Sequence, residues 1–354
     1  MTPESDLAQP VVVITGAASR LGQRACALAA ADTQVGRVVA LDRRAMHRLP
    51  AGVEAHRADL ASADLKALFE GASVVLHLAQ ATGPAPAHSD TDLGDGALAR
   101  RVLDAASAVG ATHVVLLSSA TVYGAWANNP VPLTEDAPLR PNPGVALASE
   151  KAEAERSASE WRDAHPSATV TVLRPTVTVA ARGNGWLARA LARPATIPVT
   201  DEEPPAQFLD VNDLADAVDL ARRTHLDGPR NVAPDGWISG DTVRALAGSP
   251  RLHVPERVAV RVARLRWRWG LGTTPPSLLP FTVHPWVIAN DRLRADGWKP
   301  QATNEEAFVA AHAAGPWAML SPRRRQELAL SVAGLAMVGA AAFVVSRLRR
   351  RRLR

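Results

Sequence analysis

The chain has 354 residues, of which 47% are hydrophobic and 21% charged. That is enough apolar side chain for a large packed core, and it excludes a disordered chain. The formal net charge is +5, yet residues 321–354 alone carry nine arginines against one acid, so the body is mildly acidic. A basic appendage on such a body is not the footprint of a globular nucleic-acid binder, whose cationic patch would lie on the folded part. The single cysteine, Cys26, excludes an internal disulfide and a cysteine cluster, and no metal site is expected. Residues 1–10 are polar and lack the apolar core of a secretory signal.

The β-branched run 11–15 ends in a glycine turn and predicts a buried strand. A helix follows over 20–31, then strands over 38–41, 53–56 and 74–78. A Gly/Pro-rich loop at 82–86 precedes a helix over 95–109. A strand at 114–117, a long helix at 145–164 and a strand at 169–173 complete the series. Apolar strands alternating with helices predict an α/β fold: a doubly wound parallel sheet of Rossmann type. Residues 1–175 form this dinucleotide-binding domain. Past Pro175 prolines cluster and segments shorten, with a strand at 207–209 and a helix at 211–224. Residues 176–320 read as a smaller substrate region over the sheet's open edge.

Residues 321–354 form a distinct tail. Its stretch 328–346 has no charged residue and no polar face, and arginines bracket both ends. Nineteen helical residues span about 28 Å, close to a hydrocarbon core. The expectation is a C-terminal hydrophobic helix that crosses or anchors to the cell membrane, with the globular part on the cytoplasmic side. The alternatives are a shallow insertion with both ends on one face, or an Ala/Gly-rich helix packed on the body or on another subunit.

Thr15-Gly16-Ala17-Ala18-Ser19-Arg20-Leu21-Gly22 sits where the first strand turns into the first helix. A diphosphate needs a tight turn, close backbone approach and helix N–H groups aimed at it. Gly16 suits the turn, Gly22 the helix–sheet contact, and Ser19, Arg20 and Leu21 open the helix. Asp42 ends the second strand, 20 residues after Gly22. A carboxylate there accepts hydrogen bonds from an adenosine ribose and repels a 2′-phosphate, which favours NAD; Arg43 and Arg44 beside it leave NADP open. An ordinary solvated loop carboxylate is the plain alternative.

Taken together the motifs resemble the extended short-chain dehydrogenase/reductase family of NAD-dependent epimerases and dehydratases. The glycine turn resembles its TGxxGxxG, with Ser19 in place of the middle glycine. Asp59-Leu60 looks like the pair beside the adenine, and Leu78-Ala79-Gln80 after His77 like the segment beside the cofactor. Ser118-Ser119-Ala120-Thr121-Val122-Tyr123-Gly124 resembles SSxxVYG, where the serine matching Ser119 touches substrate. Leu173-Arg174-Pro175, residues 208–215 and Gly297-Trp298-Lys299-Pro300 resemble the LRP, FVHVDDVA and GWxP segments. The resemblance implies a small-molecule substrate, a nucleotide sugar or lipid-linked alcohol. Members often pair through two long helices, here those over 95–109 and 145–164, and the sequence permits a homodimer of this kind.

One departure bears on chemistry. The family places a tyrosine four residues before a lysine on the long helix, so that both share one face. The lysine is Lys151, one of only three lysines, but the tyrosine position is Leu147. The family's asparagine at the start of the preceding helix is Asp95. Leucine moves no proton. The only tyrosine, Tyr123, matches a position that is more often structural. Lys151 has three readings: it holds the cofactor ribose, it acts as a base after burial, or it pairs with Glu155 on the surface. Ser119 either touches substrate or caps its own turn. With Ser119 and Lys151 as candidate catalytic residues, the expected function is an NAD(P)-binding epimerase/dehydratase-like oxidoreductase tethered to the membrane. A cofactor-binding sensor or scaffold without hydride chemistry is the second reading, and a 3β-hydroxysteroid dehydrogenase-like enzyme the third. Finally, Arg257, Arg261, Arg264 and Arg268 form one face of a predicted helix, suited to a substrate diphosphate, anionic lipid or plain solvent.

Overall fold

The computed structural model describes residues 9–80, 83, 93–192, 204–247, 256–269, 275–312 and 324. Its elements are β1 (Val11–Thr15), α1 (Arg20–Ala31), β2 (Arg37–Asp42), β3 (Val53–Arg57), α2 (Leu65–Leu68), β4 (Ala72–His77), α3 (Asp95–Val109) and β5 (His113–Leu117). A 3-10 turn, Ala120–Tyr123, leads to α4 (Ala146–Ala164), β6 (Thr169–Pro175), β7 (Val177–Val179), α5 (Trp186–Leu191), β8 (Phe208–Asp210) and α6 (Val211–Thr224). Then come β9 (Gly228–Val232), α7 (Gly240–Ala247), α8 (Glu256–Arg268), a 3-10 turn at Pro276–Thr282, α9 (Asp291–Ala295) and α10 (Asn304–Ala311).

Seven strands form one parallel sheet in the order β3-β2-β1-β4-β5-β6-β9. β1, β4 and β5 are apolar along their length because helices cover both faces, and every residue of β5 is buried. β3 lies at the edge and is half-exposed, and its Glu54 forms an ion pair with Arg37. On one face Ala25, Cys26 and Ala29 of α1 pack with Leu214, Ala217, Val218 and Ala221 of α6. On the other, Ala99, Val102 and Ala106 of α3 pack with Ala154, Ala158 and Trp161 of α4. Small residues at these positions let helices lie close to the sheet and to each other. Burial pushes the Cys26 thiol up to about 12, which makes it an inert core residue.

Residues beyond Pro175 do more than cover an edge. α6 returns beneath the sheet and β9 pairs in parallel with β6, Pro175 standing opposite Val232. β9 reads Gly-Pro-Arg-Asn-Val, a turn-like sequence, so its strand character comes from pairing and not from propensity. A third cluster, with Tyr123, Phe208, Phe281, Trp286 and Phe308, builds the C-terminal part of the unit Met1–Ala311. Its last segment is tied to α6: Trp298 Nε1 donates to the Asp213 carbonyl at 3.1 Å, and the Asp213 carboxylate accepts the N–H groups of Gln301 and Ala302, each at 3.0 Å.

The membrane-anchor expectation for 328–346 falls outside the described residues. Among those described, no helix is long and apolar enough to cross a membrane.

Candidate cofactor and active site

The chain runs from β1 out through β2 to β3, then returns to β4 on the other side of β1. Loops therefore diverge over the C-terminal ends of β1 and β4, where doubly wound sheets take ligands. Gly16 stands in that crevice with φ +74°, and a Cβ there would lie 2.6 Å from the Ala79 nitrogen. Only glycine permits both that backbone conformation and that approach. Gly22 is equally confined, since its Cβ would lie 2.3 Å from the Gly16 carbonyl oxygen. Ser19 caps α1: its Oγ accepts the Gly22 N–H at 3.0 Å and donates to the Gly16 carbonyl at 2.8 Å. The N–H groups of Arg20 and Leu21 have no intrahelical acceptor, which leaves the positive end of α1 facing the crevice. The Leu21 side chain is buried and that of Arg20 is exposed, within reach of Gly183.

Asp42 lies across the turn, at the end of β2. Its carboxylate accepts the Ala18 N–H at 3.0 Å, which fixes the turn to the strand. Arg44 supplies the other three hydrogen bonds: its backbone N–H at 2.9 Å, and Nε and Nη2 each at 3.1 Å. Burial works against the charge, but Arg44 and the two backbone N–H groups outweigh it and hold the carboxyl below its ordinary range. The arginine beside Asp42 is thus Arg44. Arg43 is exposed, and its carbonyl accepts from Arg57 at 3.0 Å. Asp59 is exposed and caps its own turn through the Ala61 N–H, and Leu60 is buried with its carbonyl held by Arg101. Leu78 is buried, Ala79 half-buried and Gln80 exposed. Pro175 is buried at the end of β6.

The second half of the site is different in character. Lys151 is 2% exposed; its Nζ donates to the Leu117 carbonyl at 2.8 Å and lies 3.0 Å from Asp95 Oδ2. Asp95 is equally buried, at the start of α3, where its own N–H is taken by Glu150 Oε2 at 2.8 Å. His77, at the end of β4, hydrogen-bonds Thr15 Oγ1 through Nδ1 at 2.8 Å. Burial, with the Lys151 charge added, holds His77 down to about 4 despite Asp95, so the imidazole is neutral at pH 7. Leu147, one turn before Lys151, is buried. Ser119 caps the 3-10 turn, accepting from the Thr121 N–H at 3.2 Å and the Thr121 hydroxyl at 3.0 Å. Two received bonds leave its own proton as the one donor it can offer.

The surface pairing of Lys151 with Glu155 does not occur. Glu155 is committed to Arg174, whose Nη2 is 2.6 Å away, and to the Ser118 hydroxyl. Arg174 also donates to the Tyr123 oxygen at 2.7 Å, and Tyr123 donates to Asn231 Oδ1 at 2.8 Å. Asn231 is in turn held by Glu135, whose carboxylate accepts its N–H at 2.9 Å. Burial, outweighing the pull of Arg174, pushes the Tyr123 phenol up to about 12. The sole tyrosine is therefore a locked structural donor. Sequence reasoning missed this network of Glu135, Glu155 and Asn231; the arginine inside Leu173-Arg174-Pro175 was the signal, since a buried guanidinium demands acidic partners. A cavity of about 640 Å³ lies beside it, on the flank of α4 lined by Ser149, Arg156, Ser159, Arg174 and Pro229, and none of the cofactor-candidate residues borders it.

Comparison with known proteins follows the same lines. Residues 12–233 match the model of the NAD dependent epimerase/dehydratase family. Uncharacterised proteins of Mycobacterium tuberculosis and Mycobacterium bovis are 25% identical over 308 residues, covering 84% of this chain and 82% of theirs. Among solved structures, the UDP-glucose 4-epimerase of Thermus thermophilus, in complex with NAD, matches with a TM-score of 0.64 at 21% identity, over 85% of this chain and 97% of that one. The UDP-N-acetylglucosamine 4-epimerase of Methanobrevibacter ruminantium matches with a TM-score of 0.65 at 18% identity, over 86% and 97%. Parallel sheet, glycine turn, strand-end aspartate and family model agree: this chain belongs to the NAD dependent epimerase/dehydratase family.

Proposed function

We propose that this chain binds NAD across the β1–α1 turn and holds a nucleotide-sugar-type substrate over the ends of β4, β5 and β6. The observation that carries the reading is the Gly16 crevice facing the open end of α1, with Asp42 fixed beside it by Ala18. The first-turn N–H groups of Arg20 and Leu21 would receive the diphosphate. Asp42 would take the adenosine ribose hydroxyls once Arg44 swings aside, and Leu60, Leu78, Ala79 and Pro175 would line the adenine and nicotinamide ends. Lys151 donates one ammonium proton to the Leu117 carbonyl and lies 3.0 Å from Asp95, and a remaining proton would reach the nicotinamide ribose. NAD, when bound, supplies a hydride acceptor. Ser119 would donate its remaining proton to substrate. Because Leu147 occupies the tyrosine position and Tyr123 is locked elsewhere, proton transfer in this site proceeds without a phenol.

A second reading, a cofactor-binding protein without hydride chemistry, is favoured by the same Leu147 and by the Asp95 carboxylate that neutralises Lys151. Leu147→Tyr separates the two. A wild type that binds NAD and turns over UDP-sugars meets the first reading, whereas a silent wild type whose variant gains NAD reduction or epimerisation is a disabled form of the same scaffold. An active wild type that loses activity on Ser119→Ala supports the enzyme reading; a silent wild type and a silent variant support the sensor or scaffold.

Tail residues 328–346 supply the membrane tether in this proposal, with the folded part at the cytoplasmic side. A homodimer through α3 and α4 would have to cover the exposed Arg100–Glu153 pair, Asp104 and Arg156, so it carries less weight than the cofactor site.

A further inference from the structure

Helix α8 contributes none of the cofactor-candidate residues. Val258, Val262, Leu265 and Trp269 recur on one stripe at helical spacing, and Trp269 prolongs the helix through an N–H bond of 3.1 Å to the Leu265 carbonyl. Only Val262 is half-buried: Val258 is 45% exposed, Leu265 49% and Trp269 65%. With Trp267, this short segment holds four of the nine large hydrophobic side chains exposed among the described residues. Arg261, Arg264 and Arg268 form the adjoining stripe, all exposed, and none makes an ion pair with a described residue.

A helix of this length is marginal alone, and its stability has to come from covering its apolar face. A solvated basic face accounts for the arginines but not for the stripe. A substrate diphosphate likewise engages guanidinium groups and leaves the Leu265 and Trp269 side chains in water. An anionic bilayer surface matches both stripes at once: leucine, valine and tryptophan settle at the headgroup–acyl boundary, and arginines meet the lipid phosphates. We propose that α8 is a docking helix that lies flat on an anionic phospholipid surface, with the Val258–Leu265–Trp269 stripe inserted and Arg261, Arg264 and Arg268 on the headgroups. The proposal is independent of NAD binding and of the tail.

The test uses the full chain with Leu265→Cys, labelled with a polarity-sensitive thiol dye. Cys26 is fully buried with a raised thiol pKa and stays unlabelled. Because the dye sits on α8, membrane attachment through any other segment does not mimic the signal. With vesicles of phosphatidylcholine and phosphatidylglycerol the emission should shift to the blue and iodide quenching should fall several-fold. Phosphatidylcholine alone should do neither, and high salt should reverse the shift. Replacing Arg261, Arg264 and Arg268 together by glutamine should weaken vesicle binding read at this dye by a factor on the order of a hundred. A dye equally quenched with and without anionic vesicles would overturn the proposal in favour of a solvated face. So would a dye already shielded before lipid is added: shielding independent of protein concentration assigns the stripe to another segment of this chain, and concentration-dependent shielding to a second copy.

Discussion

The two halves of the site part company. Around β1, α1 and β2 the geometry suits a dinucleotide through backbone shape and a single carboxylate: Gly16, Gly22, the Ser19 cap and Asp42. Around α3 and α4 the lysine is buried against Asp95, and Leu147, one turn before it, is buried too and offers no proton. Binding a cofactor and moving a proton are separable demands on one fold, because the first rests on a turn and the second on side chains that can change singly. The buried ion pair joins α3 to α4 through Lys151 and Asp95.

The sharpest way to break this comparison is to remove one member of that pair. Lys151→Met removes the ammonium group from beside the buried Asp95 carboxylate, and should cost about 3–5 kcal/mol in urea unfolding. The double variant Lys151→Met, Asp95→Leu should recover most of the loss. If the double variant regains stability and still binds NAD as the wild type does, Lys151 is structural here; if it regains stability and loses NAD, the lysine serves both roles.

A second expectation concerns pH. His77 and His113 are both held down to about 4, in each case first by burial, from an ordinary 6.5. The unfolded chain thus binds protons that the folded chain refuses between these values, so stability is full above pH 6.5 and falls as pH drops toward 4. The combined loss should be a few kcal/mol. Unfolding midpoints at pH 7 and pH 5 measure it, and His77→Gln should flatten the slope; an unchanged slope would contradict the assignment to His77.

The smallest effect belongs to the cofactor half. Arg44 is half-exposed, 51% for its side chain, and its bond to Asp42 must open before a ribose can enter. Solvent screens the arginine end of this pair, which limits it to about 1 kcal/mol although Asp42 itself is buried, and Arg44→Ala should therefore tighten NAD binding by no more than about five-fold. Weaker binding in the variant would mean that Arg44 itself touches the cofactor.

Much of this architecture was legible beforehand because local signals and tertiary demands agreed. The strand 11–15, the helices 20–31 and 95–109 and the glycine turn are set by apolar runs and glycines that admit one structure. Legibility failed where long-range pairing overrode local character, as in β9, whose Gly-Pro start resembles a turn. It failed again for Asp42, where the neighbouring arginine at Arg44 and not Arg43 closes on the carboxylate, a choice made by side-chain reach. The partner of Lys151 could not be read beforehand, since Asp95 lies on another helix.

Calorimetric titration of NAD and NADP into the full chain, with Asp42→Ala measured alongside, asks directly whether the turn between β1 and α1 holds the cofactor. Saturable NAD binding is expected, with weaker NADP binding and at least a ten-fold loss of NAD affinity in the variant. Binding of neither cofactor, or tighter binding of NADP than of NAD, would contradict it.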